Sequence, residues 1–217
     1  MSQSDSFIEE VTEDLRRDRL FAVLRRWGWV AVLCVVALVA GATWNEYRKA
    51  EARAVAEALG DALLAADALT EPEARAAALA AVPPASPGAL SLVAMLRAAE
   101  HEAAGDRGGA LAALAEVEAV AASQPLYRDL ARLKALSLRA GDMPAAELLA
   151  ALEPLAAPGA PYRGLALEQR ALAQLVVGER AAAVATLREI LVVDAASQGL
   201  RARAQQLLVA LGEAAPG

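Results

Sequence analysis

Few side chains in this sequence are equipped for chemistry. His101 is the only histidine and Cys34 the only cysteine among 217 residues. A metal site needs several convergent His, Cys or carboxylate ligands. A Ser or Cys nucleophile needs a base beside it. His101 stands between Glu100 and Glu102 in a helical stretch and reads as a surface residue. Cys34 lies inside an apolar stretch, excludes an intrachain disulfide, and reads as a small apolar side chain. The sequence holds neither G-x-x-x-x-G-K-[ST] nor G-x-G-x-x-G, so no phosphate-cradling loop is expected. Acidic pairs such as Glu116 and Glu118 read as solvated helix surface. The expectation is no catalytic residue, no cofactor and no metal, which leaves binding.

Charge narrows the partner. Residues 1–26 hold five Arg against six acids, residues 27–44 hold no charge, and the remainder holds 16 bases against 21 acids, for a net −6. A mildly acidic chain lacks the basic face that phosphates require, so nucleic acid is excluded. Apolar residues make up 57% of the chain but aromatics only 4%. The excess is Ala and Leu, which favour helix, so the expected class is all-α.

The elements that would position a binding face begin with Trp27 to Trp44, WGWVAVLCVVALVAGATW, 18 residues without a charge. At 1.5 Å per residue such a helix is about 27 Å long, close to the hydrocarbon thickness of a bilayer. Trp27, Trp29, Trp44 and Tyr47 stand where interfacial aromatics belong. Ala40-Gly41-Ala42 fits a signal cleavage site, but the long acidic leader is unlike a short basic n-region, so an uncleaved single-pass anchor is expected. Five Arg precede the anchor (Arg16, Arg17, Arg19, Arg25, Arg26) and three bases follow it (Arg48, Lys49, Arg53). That bias places the N-terminus in the cytoplasm and the larger C-terminal part across the membrane. Gly41 and Ala37 form a small-residue pair that could pack on another transmembrane helix. Ahead of the anchor, Ser6 and Glu9 make a capping box, followed by Ile8, Val11, Leu15, Phe21 and Leu24 at helical spacing. This is either an amphipathic helix at the membrane surface or a frayed tail.

Helical sequence continues through 45–70, and Thr70-Glu71-Pro72-Glu73 is expected to cap the next helix with Thr70. Ser86-Pro87 and Ser123-Pro125 open further helices, as do Pro144 and Pro161, and Ser197 to Leu211 is the last. Three breaks read AAGDRGGALAAL, RAGDMPAAELLA and VVGERAAAVATL, with glycines at 105, 141 and 178, spaced 36 and 37 apart. Repetition in this range points to stacked helix pairs. Five residues after each glycine stands a small residue, Ala110, Ala146 or Ala183, and four further on Leu114, Ala150 or Leu187. The small residue lets paired helices approach and the next fills the space between pairs.

The Gly-Asp turn with Ala early in the second helix resembles the tetratricopeptide repeat, over about Ser86 to Asp194. The period is two or three residues longer than usual, the aromatic positions are mostly empty, and Lys134 stands where a small residue is usual. The expected organisation is a cytoplasmic segment (1–26), an anchor (27–44), juxtamembrane helices with a divergent first pair (45–85), tetratricopeptide-like repeats (86–212) and a tail (213–217). The layout as a whole, and the start SDSFIEEVTEDLRRDRLFAVLRRWGW, resemble the YfgM-like family of bacterial inner-membrane proteins in its alphaproteobacterial form. That resemblance implies an ancillary subunit of the Sec translocon that engages periplasmic chaperones and translocating clients. A structural scaffold in a cell-envelope assembly, or an accessory factor to a peptidoglycan or lipid enzyme, is the alternative.

In a tetratricopeptide array the first helix of each pair lines a concave groove. Counted from the turn glycines, those positions are Leu92, Met95, Ala99 and Glu102, then Arg128, Ala131, Ala135 and Leu138, then Leu165, Glu168, Leu172 and Leu175. The set is largely apolar and suits an amphipathic helix or an unfolded segment. Equally, such a stripe can pack on the chain's own helices. Asn45 is the only asparagine, so a Lys/Asn carboxylate clamp is not expected.

Overall fold

The computed structural model describes residues 3–83, 86–120 and 123–213, and not the side chains of 3–24, 26, 27 and 31. The capping box, the Ile8–Leu24 stripe and the Trp27 side chain therefore lie outside the described side chains, and residues 214–217 outside the description. Among the described residues every regular element is an α-helix. In order these are α1 (Gln3–Asp67), α2 (Pro72–Ala80), α3 (Pro87–Ala103), α4 (Arg107–Ala119), α5 (Pro125–Arg139), α6 (Ala145–Ala156), α7 (Arg163–Val176), α8 (Arg180–Leu191) and α9 (Gln198–Ala210). The chain divides into two compact units, Met1–Glu57 and Ala58–Gly217, and α1 contributes to both.

In the first unit, α1 carries the one described helix long and apolar enough to cross a membrane. From Val32 to Trp44 its apolar residues are not buried on protein. Trp29, Val32, Leu33, Val35, Val36, Leu38, Val39 and Trp44 all stand exposed, as does Cys34. The one hydroxyl in the stretch is satisfied internally, because Thr43 Oγ1 donates to the Val39 carbonyl at 2.8 Å. Trp44 and Tyr47 lie one helical turn apart with ring centroids separated by 6.4 Å.

In the second unit each helix packs on the next, from α2 through α9, and α3 also meets α5 as α7 meets α9. Three apolar clusters result. Ala66 at the end of α1, Leu79 of α2 and Val93 of α3 make the first. Ala94, Ala98, Ala113, Leu114, Val117 and Ala131 make the second, across α3, α4 and α5. The third is the largest and runs from Leu133 and Leu136 of α5 through α6, α7 and α8 to Leu208 of α9.

Prolines and glycines place the ends. Pro72, Pro87 and Pro125 each open a helix at its first position, where a missing N–H costs nothing. The residue before a proline is held extended, so it becomes the cap. Glu71 and Gln124 therefore cap α2 and α5, not the expected Thr70 and Ser123, and neither makes a side-chain cap bond. Thr70 instead receives Arg75 on its carbonyl at 2.8 Å. Ser123 turns inward and meets Ser91 of α3, hydroxyl to hydroxyl at 2.9 Å. Ser86, expected to open a helix, and Ser197, expected as the first residue of the last one, are N-caps, accepting from the Ala89 and Leu200 N–H groups.

The turns after α3 and α7 are Schellman motifs. Gly105 and Gly178 adopt φ of 75° and 80°, a left-handed backbone that a side chain would strain. Asp106 N–H reaches the His101 carbonyl at 2.8 Å, and Glu179 N–H the Gln174 carbonyl at 2.9 Å. Asp106 then caps α4, accepting from Gly109 N–H at 2.9 Å, while its other oxygen lies 2.8 Å from His101 Nδ1. A Cβ on residue 109 would collide with the Asp106 carboxylate and the His101 ring, so a larger residue there would have to displace this pair.

The middle turn differs from its expected counterparts. Gly141 has no positive φ, and five residues (140–144) separate α5 from α6 where three (104–106 and 177–179) separate the other pairs. Pro144 cannot continue a helix backwards, so α6 starts two residues later in the repeat. The expected contact pair of Ala146 and Ala150 is accordingly exposed. Leu148 and Leu152, two residues on, take the buried positions that Ala110 and Leu114 hold in α4 and Ala183 and Leu187 in α8.

Two outcomes check this account. Leu152→Ala should cost about 2–5 kcal/mol in denaturant unfolding, as buried Leu truncations do, while Ala150→Ser should stay within about 0.5 kcal/mol as surface changes do. The backbone bond to Gly109, with His101 beside it, holds the Asp106 carboxyl below its ordinary value of 3.8 against the opposing effect of burial. A depressed carboxylate stabilises the fold above its unfolded pKa and loses that contribution as pH falls through the folded one. Asp106→Asn retains a capping side chain, so its thermal midpoint should fall less steeply than the parent's below pH 4.

Candidate protein-binding face

The proposed face is carried by α3, α5 and α7, whose positions follow from the turns above. On α7, residues 164, 166, 167 and 171 are buried. On α3 the buried residues are 91, 93, 94 and 98, each 73 positions earlier. The two helices thus present the same side outward. Leu92, Leu165 and Leu172 are 39%, 38% and 39% exposed, enough for each to contact a partner. Ala99 is exposed with them, and Leu175 is half-buried.

α5 turns differently. Ala131 is completely buried against α3 and α4, not on an open face. Met95, Ala135 and Leu138 are partly buried against the same cluster. Arg128 is exposed. Lys134, at the position that holds buried Ala98 in α3 and Ala171 in α7, is half-buried instead. It keeps its ammonium in solvent and reaches Glu102 of α3 at 3.4 Å. The long stem covers apolar surface while the charged end finds a partner.

The two acidic positions are both engaged within the chain. Glu102 takes Lys134, and Glu168 takes the guanidinium of Arg203 on α9 through paired bonds of 2.7 and 2.8 Å. The latter raises the Arg203 pKa above its ordinary value. Arg203 and Lys134 are the face residues that sequence spacing missed. Each pair joins residues 35 or 32 apart, on different helices, and no local pattern announces it. Leu90, Leu96 and Leu126 were also missed, and all three are exposed on α3 and α5.

Chemically the arrangement offers separated apolar side chains and internally paired charges. Among the described residues no group of three or more His, Cys, Asp or Glu converges. No family model, curated protein or solved structure matches the chain. The twelve positions therefore divide on geometry alone. Leu92, Leu165 and Leu172 are available to a partner, whereas Met95, Ala131 and Leu138 chiefly hold the helices together.

The division is measurable. Leu165→Glu with Leu172→Glu should leave the helical circular-dichroism signal intact and change stability by less than about 1 kcal/mol, as solvent-facing changes do. Leu138→Glu forces a charge toward the α3–α5 cluster and should lower stability by about 1–3 kcal/mol.

Proposed function

We propose that this chain is a single-pass inner-membrane adaptor whose C-terminal helices form a tetratricopeptide-like solenoid that binds protein partners. The observation that carries the reading is the unburied apolar surface of α1 from Trp29 to Trp44. Exposed Val, Leu and Trp side chains on every turn suit lipid, where backbone polar groups are paired inside the helix and apolar side chains meet acyl chains. The helix-on-next-helix packing from α2 to α9 supports a solenoid, as do the paired Schellman turns at Gly105 and Gly178. α9 suits a terminal cap, since Gln198, Arg203, Gln205 and Gln206 face outward and Leu200, Ala204 and Leu208 inward.

Within that reading the N-terminus lies in the cytoplasm and the repeats in the periplasm, by the Arg and Lys bias around the anchor. The resemblance to the YfgM-like family makes the partners the Sec translocon, periplasmic chaperones or emerging clients. Leu92, Leu165 and Leu172 would be the contacts. The role needs no catalytic residue, cofactor or metal.

Two experiments in intact membranes test it. Protease admitted through a permeabilised outer membrane should digest the C-terminal unit. Its survival, with cytosolic markers protected and periplasmic markers cut, overturns the topology. Crosslinking from residue 165 or 172 should capture translocon subunits or translocating polypeptides. Recovery of cell-wall machinery alone would replace the adaptor with a scaffold.

A further inference from the structure

The second unit is built in two halves that meet along one seam. One cluster fastens α3, α4 and one side of α5, and another joins Leu133 and Leu136 of α5 to α6 through α9. α5 serves both, with Tyr127, Ala131, Ala135 and Leu138 toward the first and Leu133 and Leu136 toward the second. Of the consecutive helices from α2 to α9, α5 and α6 meet over the smallest contact. Alternate helices brace each half, since α3 meets α5 and α7 meets α9, but α5 and α7 have no comparable contact among the described residues.

Three further observations fall on the same seam. Of the three glycine turns at 105, 141 and 178, its turn is the one that lacks the Schellman closure. Arg139 O receives both Asp142 and Met143 N–H, at 2.9 and 3.0 Å. A crevice of about 500 Å³ opens beside the seam, lined by Arg107 and Leu111 of α4, Arg139 of α5, Met143 of the turn and Glu147 of α6. One ion pair spans it, from Arg107 on α4 to Asp142 in the turn.

We infer that the α5–α6 seam is an articulation, with the Arg107–Asp142 pair as its latch. The small α5–α6 contact and the crevice beside it lower the free energy of opening relative to the more closely packed helix pairs. The latch is solvent-exposed on both sides, at 41% and 70%, so it biases the closed form without locking it. Opening would change the angle between α3 and α7, and with it the spacing between Leu92 and Leu172. The inference concerns the helical unit itself and holds whatever that face binds.

The test uses the full-length chain in detergent with Cys34→Ser and two introduced cysteines carrying spin labels. Ala115→Cys with Ala202→Cys spans the seam, whereas Ala150→Cys with Ala202→Cys lies within the α6–α9 half, and all three sites are exposed. The distance distribution across the seam should be broader than the one within the half. Arg107→Ala should raise the longer-distance population about two- to fivefold, in keeping with an exposed ion pair, and leave the within-half pair unchanged. Arg107→Asp with Asp142→Arg should restore the parent distribution. A seam distribution as narrow as the within-half one overturns the articulation, as does broadening of both pairs together. No response to Arg107→Ala, or no restoration by the reversed pair, overturns the latch.

Discussion

Close approach between alanine faces is the contact on which the helical unit depends. Ala98, Ala110, Ala113, Ala131, Ala166, Ala171, Ala183 and Ala204 are all completely buried, and all but Ala110 and Ala183 belong to clusters that join several helices. A methyl group brings little transfer free energy of its own. Its value is geometric, because it lets backbones approach until the larger neighbours interlock. Leu114, Leu152 and Leu187 are those neighbours, one per second helix, and each is essentially sealed from solvent. Gly164 takes the same logic further, since a Cβ there would come within 2.8 Å of Leu200.

That dependence explains why the middle pair is where regularity gives way. Two extra residues before α6 carry Leu148 and Leu152 into the sites that Ala146 and Ala150 would otherwise fill. Leucine thus stands at 148 where the other second helices carry Ala110 and Ala183, and the α5–α6 contact is the smallest between consecutive helices from α2 to α9. Lys134 compounds it, because a lysine cannot be sealed where Ala98 and Ala171 are. The same change that weakens the pair leaves room for a crevice.

The first unit obeys a different solvent rule. From Val32 to Trp44 the described apolar residues of α1 are all exposed, while most large apolar side chains of the second unit are buried between helices, with Leu92, Leu165 and Leu172 among the exceptions. A helix apolar all round has no reason to be so in water unless protein or lipid covers it. Charges return beyond the apolar stretch, at Glu46, Arg48, Lys49, Glu51 and Arg53.

The sequence by itself determined the helical class, the apolar span and most helix boundaries, because each is written locally. Prolines set first turns, Gly105 and Gly178 set left-handed exits, and Ser86 and Ser197 supply caps within three residues of the N–H groups they serve. The three similar breaks also announced the pairing of helices, since their spacing is visible without a fold. What tertiary structure decided was phase. The motif at Gly141 looks like the others in letters, but the backbone there must accommodate Pro144, and the resulting two-residue shift reassigns which side chains are core. The candidate face was legible only in part for the same reason. Leu92, Leu165 and Leu172 follow from counting along one helix, whereas the burial of Ala131 and the pairing of Glu168 with Arg203 depend on a neighbouring helix distant in sequence. Helical periodicity says which residues share a side, and only packing says what that side meets.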